Sequence, residues 1–319
     1  MMKPTESCLG IAFISDSSEW LPFVLKCLII YVSLCMAIHL WRKFQEIGRP
    51  FHAMRMTLEE AYAVKDHIER TFPRVFPFAT SYALVKSYEV PSIAGPNAGA
   101  ARRAMKSMPA PFEKSQPNTG NTFEDLMGPL GSSASIAALD KINRIHSLYR
   151  PTGKMSDDDL LFVLSLLILE PMRWIERYEY RCLTPKERCA LATFWKSIGE
   201  KLYIPFEALL SHEEFIDALQ WLGELEQWSL SYEEKNTSTV KSQDTAFLAD
   251  RKIDGWLQSV PAFMKPTARD MLAVLIDPRT RIAMGVDEPS TFSKMAVSII
   301  VPIRNLIQHC FVFLVPSWT

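Results

Sequence analysis

The sequence lacks the excess of basic residues that nucleic-acid-binding proteins carry. Its 319 residues hold 35 Lys and Arg against 36 Asp and Glu, for a net charge of -1. Nucleic acid is therefore not an expected partner, because phosphate backbones are bound by clusters of cations. Cysteine is also scarce, with six residues and no CxxC pair. This excludes the dense disulfide framework of small secreted domains and favours a reducing compartment for most of the chain.

Motifs for nucleotide binding and hydrolysis are missing as well. The sequence contains no GxGxxG, GxxxxGK[ST], HExxH or GxSxG motif, and no ExxH pair of the kind used by di-iron helix bundles. The six histidines are far apart in the sequence. A kinase, a dehydrogenase of the dinucleotide-binding class and a common hydrolase therefore have little support.

One long apolar run is present near the amino terminus, at residues 20–41. Its length matches the roughly 20 residues that cross a bilayer, and it is flanked by tryptophans and followed by basic residues. The alternative is a cleavable signal peptide. We expect a short luminal tail (residues 1–19), one transmembrane anchor (20–41) and a cytosolic body (42–319) held at the endoplasmic reticulum membrane.

The body is predicted to be all-α. No sustained run alternates with the two-residue period of a strand, and four capping-box signals mark helix starts, at residues 57–60, 156–159, 184–187 and 211–214. Residues 91–122 and 235–245 are rich in loop-forming residues and are predicted to be loops.

A helix beginning near Asp157 is apolar on nearly every side from Leu160 to Leu169, which is typical of the centre of a bundle. Pro171 is expected to kink or end it. The apolar carboxyl-terminal segment is interrupted by Pro302, Arg304 and several amides. These interruptions argue against a second span and favour a helix that lies on a membrane or lines a pocket.

The stretch DKINRIHSLYRP, residues 140–151, places a histidine on an apolar helical stripe. Leu139, Ile142, His146 and Tyr149 repeat at helical spacing, and Pro151 predicts the end of the helix. From spacing alone, His146 is more simply a packed core residue than a ligand. The functional alternative is a haem site, which needs one iron ligand, an apolar cavity and a cation such as Arg150.

The run from Ile142 to Lys201, with YALVKSYEVPSIAG upstream and DMLAVLIDPRTRIAMG downstream, resembles the fungal family of endoplasmic-reticulum-bound oxygenases typified by the mycophenolic acid pathway enzyme. That family is related to the bacterial latex clearing proteins, which are rubber oxygenases. The resemblance implies a globin-like helical core that holds haem b, binds dioxygen and cleaves a carbon-carbon double bond in an isoprenoid chain.

The resemblance also assigns residues. His146 corresponds to the family's axial haem ligand, with Arg150 as a catalytic partner, and Lys141, Thr119 and Arg173 would contribute to cofactor binding. Arg173 could equally form a structural ion pair with Glu170. This chain has Lys141 where relatives often carry arginine, and Ser115 where many have a basic residue four positions before Thr119.

The functional expectation is a membrane-bound haem oxygenase that tailors a lipophilic secondary metabolite, by cleavage of a prenyl or terpenoid chain in a meroterpenoid pathway. One alternative keeps the haem but changes the reaction to hydroxylation, rearrangement or dehydrogenation. A third, from another class, is a membrane scaffold or carrier without catalysis.

Overall fold

The computed structural model describes residues 22–27, 29–31, 33–34, 37, 56–106, 119–129, 131–210, 217–237 and 242–312. The chain divides into two compact units, residues 51–306 and residues 1–50 with 307–319. The described residues form helices and turns with no strand, which confirms the all-α prediction.

The described part of the body contains twelve α-helices of 7 to 22 residues. In chain order they are α1 (Leu58–Thr71), α2 (Val75–Ser87), α3 (Pro91–Lys106), α4 (Thr119–Met127), α5 (Ser133–Tyr149), α6 (Asp157–Tyr178), α7 (Pro185–Lys201), α8 (Ala218–Asn236), α9 (Gln243–Trp256), α10 (Lys265–Leu275), α11 (Pro278–Met284) and α12 (Thr291–Val312).

Three of the four predicted capping boxes are present. Thr57, Ser156 and Thr184 each accept a hydrogen bond from the backbone amide three residues on, and the backbone amide of each cap residue donates to the acid at that position. Each cap therefore satisfies amides that the first helical turn leaves free. The fourth predicted box, residues 211–214, lies outside the described residues.

Helix α6 is the centre of the body. It packs most extensively on α2 and also contacts α7 and α8, and its residues from Asp159 to Met172 are buried with the exception of Val163. Pro171 was predicted to kink or end this helix, and the second alternative is wrong, because α6 continues to Tyr178. A proline in a helix leaves one carbonyl without its usual donor, but here the apolar side chains on both sides of it are packed in the core.

The prediction of a loop over residues 91–122 is wrong for all of the described part of that range. Residues 91–106 form α3 and residues 119–127 form α4, while residues 107–118 lie outside the described structure. Tertiary contacts override the loop-like composition of α3: Ile93, Ala94 and Ala98 are buried, and the Arg102 guanidinium lies 2.5 Å from the carboxylate of Asp244 on α9.

The predicted transmembrane anchor over residues 20–41 is not supported. Helical residues are described at 22–27, 29–31, 33–34 and 37, but within the described parts of the chain no helix reaches the length and apolarity of a bilayer span. The predicted tail, residues 1–19, lies outside the described structure.

Gly199 allows α7 to approach α6 closely. A Cβ atom at this position would lie 2.7 Å from Cδ2 of buried Leu164 and 3.1 Å from Cζ of Phe206. Such an approach is well inside van der Waals contact, so any side chain here must push the two helices or their side chains apart.

Gly199→Ala is therefore expected to lower the free energy of unfolding by about 1–2 kcal/mol through overpacking. Gly223→Ala on α8 is the matched control, because its Cβ would meet no atom within 4 Å and alanine stabilises a helix by roughly 0.5–1 kcal/mol relative to glycine. Urea denaturation of both variants measures the difference. An equal effect of the two substitutions would contradict the close-approach interpretation.

Candidate functional site

Helix α5 carries the predicted ligand and has well-defined ends. The Ser132 side chain accepts a hydrogen bond from the amide of Ser135 at its start. The helix stops at Tyr149, and Pro151 lies in the following 3-10 turn, Arg150–Thr152. Gly153 then takes a left-handed conformation with φ of 68°, which glycine adopts without the steric cost of a Cβ atom. The predicted helix end is confirmed.

His146 lies on the inward side of α5. Leu139 and Ile142, from the same stripe, pack against the main core, and His146 is half-buried. Its Nδ1 atom is buried and has no hydrogen-bond partner. Burial, and secondarily the charge of Arg150, lowers the pKa of His146 to about 4. The imidazole is therefore neutral at physiological pH, which is the form that binds a metal ion.

Arg150 is held at the end of α5 by two oxygen partners. Its guanidinium donates to the backbone carbonyl of Tyr203 at 2.7 Å, and Nε lies 3.0 Å from Oδ1 of Asp157. The Arg150 guanidinium thus lies one helical turn beyond His146 and is paired with a carboxylate. A carboxylate of another molecule could take the same place, since Asp157 is more than half exposed.

Sequence reasoning missed Tyr203, which adopts a left-handed conformation with φ of 53°. The amide of Tyr203 donates to the carbonyl of Glu200, and the amide of Ile204 donates to that of Gly199. This is the Schellman arrangement at a helix end, where glycine is the usual residue. No glycine signals the turn, and the contact with Arg150 spans 53 positions of sequence.

Asn143 was also missed. It lies one turn before His146, and its Nδ2 donates to the carbonyl of Lys201 at 3.0 Å. Its Oδ1 is buried without a hydrogen-bond partner, as is Nδ1 of His146. Side chains three residues apart on a helix are neighbours, so α5 presents two unpaired polar atoms close together on one face. The only signal in the sequence was the spacing of Asn143 and His146.

Lys141 and Thr119 lie on the adjoining pair α4 and α5. The Lys141 ammonium donates to Oγ1 of Thr122 at 2.7 Å, which joins the two helices. Five helical residues rotate a side chain by about 140°, so Lys141 and His146 point in different directions from α5. Thr119 begins α4, but its side chain is outside the described part of the chain.

Arg173 lies in a different part of the body. It is 16 positions after Asp157, the partner of Arg150, on α6, which is about 24 Å along the helix axis. Its guanidinium contacts Glu170 at 3.0 Å and Glu226 at 3.6 Å. The neighbouring Trp174 is buried among aromatic rings. The structure thus shows the structural ion pair for Arg173 and does not bring it to His146.

A groove of about 440 Å³ opens beside the amino-terminal end of α6. Its lining is mainly polar and includes Ser92, Asp158, Asp159, Tyr232 and Lys235. Asp159 already accepts hydrogen bonds from Ser92 and Tyr232, and His146 is not part of the lining. The groove is thus separate from the apolar stripe of α5.

Among the described residues, no group of three or more His, Cys, Asp or Glu side chains could hold a metal ion. A metal centre built from several protein ligands therefore has no support in this part of the chain. The donor set that is present, one neutral imidazole with a buried unpaired nitrogen beside a cation, fits a prosthetic group that carries most of its own ligands, as a haem does.

Comparison with known proteins supplies the class. The chain is 30% identical over 299 residues to the ER-bound oxygenase mpaB' of Penicillium brevicompactum, covering 91% of this chain and 69% of that protein. It is 28% identical over 290 residues to the ER-bound oxygenase mpaB of Penicillium roqueforti, covering 88% and 95%. A further mpaB of Penicillium brevicompactum is 32% identical over 244 residues, covering 73% and 61%. No family model matches the chain.

The protein is therefore an enzyme of the oxidoreductase class, an oxygenase with an all-helical body. It belongs to the mpaB family of fungal ER-bound oxygenases, which confirms the family predicted from the sequence.

Burial of the His146 imidazole predicts how the stability of the protein depends on pH. His146 binds a proton more readily in the unfolded chain, with a pKa of about 6.5, than in the folded one, at about 4. Above pH 6.5 the imidazole is neutral in both the folded and the unfolded chain. As the pH falls toward 4 the unfolded chain takes up a proton that the folded chain does not, so the free energy of unfolding decreases. Replacing it by alanine should reduce the stability difference between pH 7 and pH 5 by roughly 2 kcal/mol.

Urea unfolding of His146→Ala and wild type at the two pH values measures this. Ser147→Ala, on the exposed side of α5, is the control and should behave as wild type. The comparison of variants matters because burial raises the pKa of Glu89 to about 7, and its contribution changes in the opposite direction over the same range. An unchanged pH dependence in His146→Ala would show that the imidazole is accessible to solvent protons.

Proposed function

We propose that this chain is a haem-dependent oxygenase of the endoplasmic reticulum that tailors a lipophilic secondary metabolite by cleaving a carbon-carbon double bond in its prenyl or terpenoid chain. The observation that carries the proposal is His146, a neutral imidazole with a buried, unpaired nitrogen on an apolar stripe. The association with the endoplasmic reticulum rests on the relatives, which are named ER-bound oxygenases. The globin-like arrangement of the helices is part of the same proposal.

His146 would bind the haem iron through one ring nitrogen. The other nitrogen needs a hydrogen-bond partner that fixes the ring, as in most metal-bound histidines. Asn143 Oδ1 is a buried acceptor without a partner one turn away. Haem, when bound, supplies the activation of dioxygen.

Arg150 would hold a haem propionate. Its guanidinium is fixed by the Tyr203 carbonyl on one side and faces the carboxylate of Asp157 on the other. A propionate could replace Asp157 without change in the charge that Arg150 meets. Burial is the main reason that the pKa of His146 is lowered, and the positive charge of Arg150 adds to it by opposing protonation of the imidazole.

The apolar side chains around His146 would position the alkene and keep water out. Leu139 and Ile142 continue the stripe into the core, while Ile145 and Leu148 are exposed on the adjoining surface of α5. An isoprenoid chain has no hydrogen-bonding groups, so contact with such side chains is the means by which a protein can bind it. Exclusion of water also protects reactive oxygen species from side reactions.

His146→Ala is expected to abolish the Soret band of protein expressed with ample haem, because it removes the iron ligand, while the far-ultraviolet circular dichroism remains helical. The matched control is His67→Ala, an exposed histidine on α1, which should retain the band. Absorption spectra of the purified proteins measure both. A Soret band of full intensity in His146→Ala would refute the ligand assignment.

Incubation of the haem-loaded enzyme with a prenylated aromatic compound under ¹⁸O₂ is expected to give two carbonyl fragments that each carry labelled oxygen, since cleavage breaks the double bond and oxidises both carbons. Mass spectrometry of the products measures the label. A single intact product with one labelled oxygen would instead indicate hydroxylation. Binding of the compound without any product would indicate a carrier.

A further inference from the structure

Helix α12 carries a long apolar stripe that is exposed, unlike an ordinary surface helix. Five large apolar side chains lie on its outer face and are exposed to between 52% and 71% of their full area. They are Phe292, Met295, Ile299, Ile303 and Leu306. Their spacings of three, four, four and three residues place them on one stripe of the helix, about 21 Å long at 1.5 Å per residue.

The face of α12 that packs on the body carries polar as well as apolar side chains. Ser293 and Val297 are buried, and Arg304 forms an ion pair with the carboxylate of Glu179 from the end of α6. Oδ1 of Asn305 is buried and has no hydrogen-bond partner. Water would favour the opposite arrangement, with the amide and guanidinium outward and the isoleucines inward.

An exposed apolar stripe of this size marks a surface that contacts either a protein or a lipid. The inward-facing Arg304 and Asn305 beside this exposed stripe favour lipid, because helices in contact with lipid turn polar side chains toward the protein and apolar ones outward. The sequence beyond Arg304 agrees with this choice: from Asn305 to Thr319 it contains no Asp, Glu, Lys or Arg.

We propose that the outer face of α12, from Phe292 to Leu306, lies on the surface of the lipid bilayer, with the helix axis parallel to the membrane plane. The inference rests on the proposed association with the endoplasmic reticulum and adds the surface that makes the contact. The amides and the arginine of α12 keep it from crossing the bilayer, since such groups are costly at bilayer depth. The enzyme would thereby meet its substrate where an isoprenoid chain partitions.

The test is hydroxyl-radical footprinting of the full chain with and without phosphatidylcholine vesicles, with flotation of the same samples. Vesicles are expected to lower the modification of Met295 and Phe292 about fivefold, because lipid covers these side chains. Leu210 and Tyr203, which are 86% and 73% exposed, serve as internal controls and should react equally in both samples.

The double variant Ile299→Ser/Ile303→Ser should lose this protection while it keeps its helical circular dichroism. The matched control is Leu210→Ser/Leu230→Ser, which removes two exposed leucines elsewhere and should keep the protection. If the protein floats with vesicles but Met295 stays reactive, the assignment of α12 is wrong although membrane association stands. If it does not float, both are wrong. Protection without vesicles that grows with protein concentration would overturn the proposal in favour of a second copy of the chain.

Discussion

The buried ion pair between Lys86 and Glu170 is the contact on which the arrangement of the body depends. Nζ of Lys86 on α2 lies 3.1 Å from Glu170 on α6 and 3.4 Å from Glu233 on α8. Burial lowers the pKa of Lys86, but the surrounding carboxylates outweigh it and raise the pKa overall. An unpaired charge at this depth would cost several kcal/mol, so any arrangement of the three helices that separates these groups is disfavoured.

The candidate site is built on the edge of this frame. α7 packs against α6 at Gly199, and the end of α7 offers two backbone carbonyls to α5. Lys201 accepts from Asn143, and Tyr203 accepts from Arg150. These two contacts lie on either side of His146 along α5 and fix the side of the helix that turns inward. The strained turn at Tyr203 therefore has a function in the fold, because it aims a carbonyl at the arginine.

The candidate site on α5 and the outer face of α12 differ in which kind of side chain lacks a partner. On α5, Oδ1 of Asn143 and Nδ1 of His146 are buried without hydrogen-bond partners. Buried polar atoms are normally paired, so such atoms fit a site that a ligand completes. On α12, apolar side chains remain uncovered on the outside, which is typical of a surface that binds lipid. Each feature costs free energy in the isolated chain. Both fit the proposed oxygenase with a lipophilic substrate.

The sequence by itself determined the features that depend on neighbouring residues: the all-helical class, the helix starts at Thr57, Ser156 and Thr184, and the end of α5 at Pro151. Caps and turns are local hydrogen-bonding patterns, so a few residues suffice to specify them. Only the tertiary structure decided that α6 continues past Pro171, that residues 91–106 are helical and that Arg173 is held far from His146. Each of these results depends on side chains that lie many positions apart in sequence, where packing outweighs local preference.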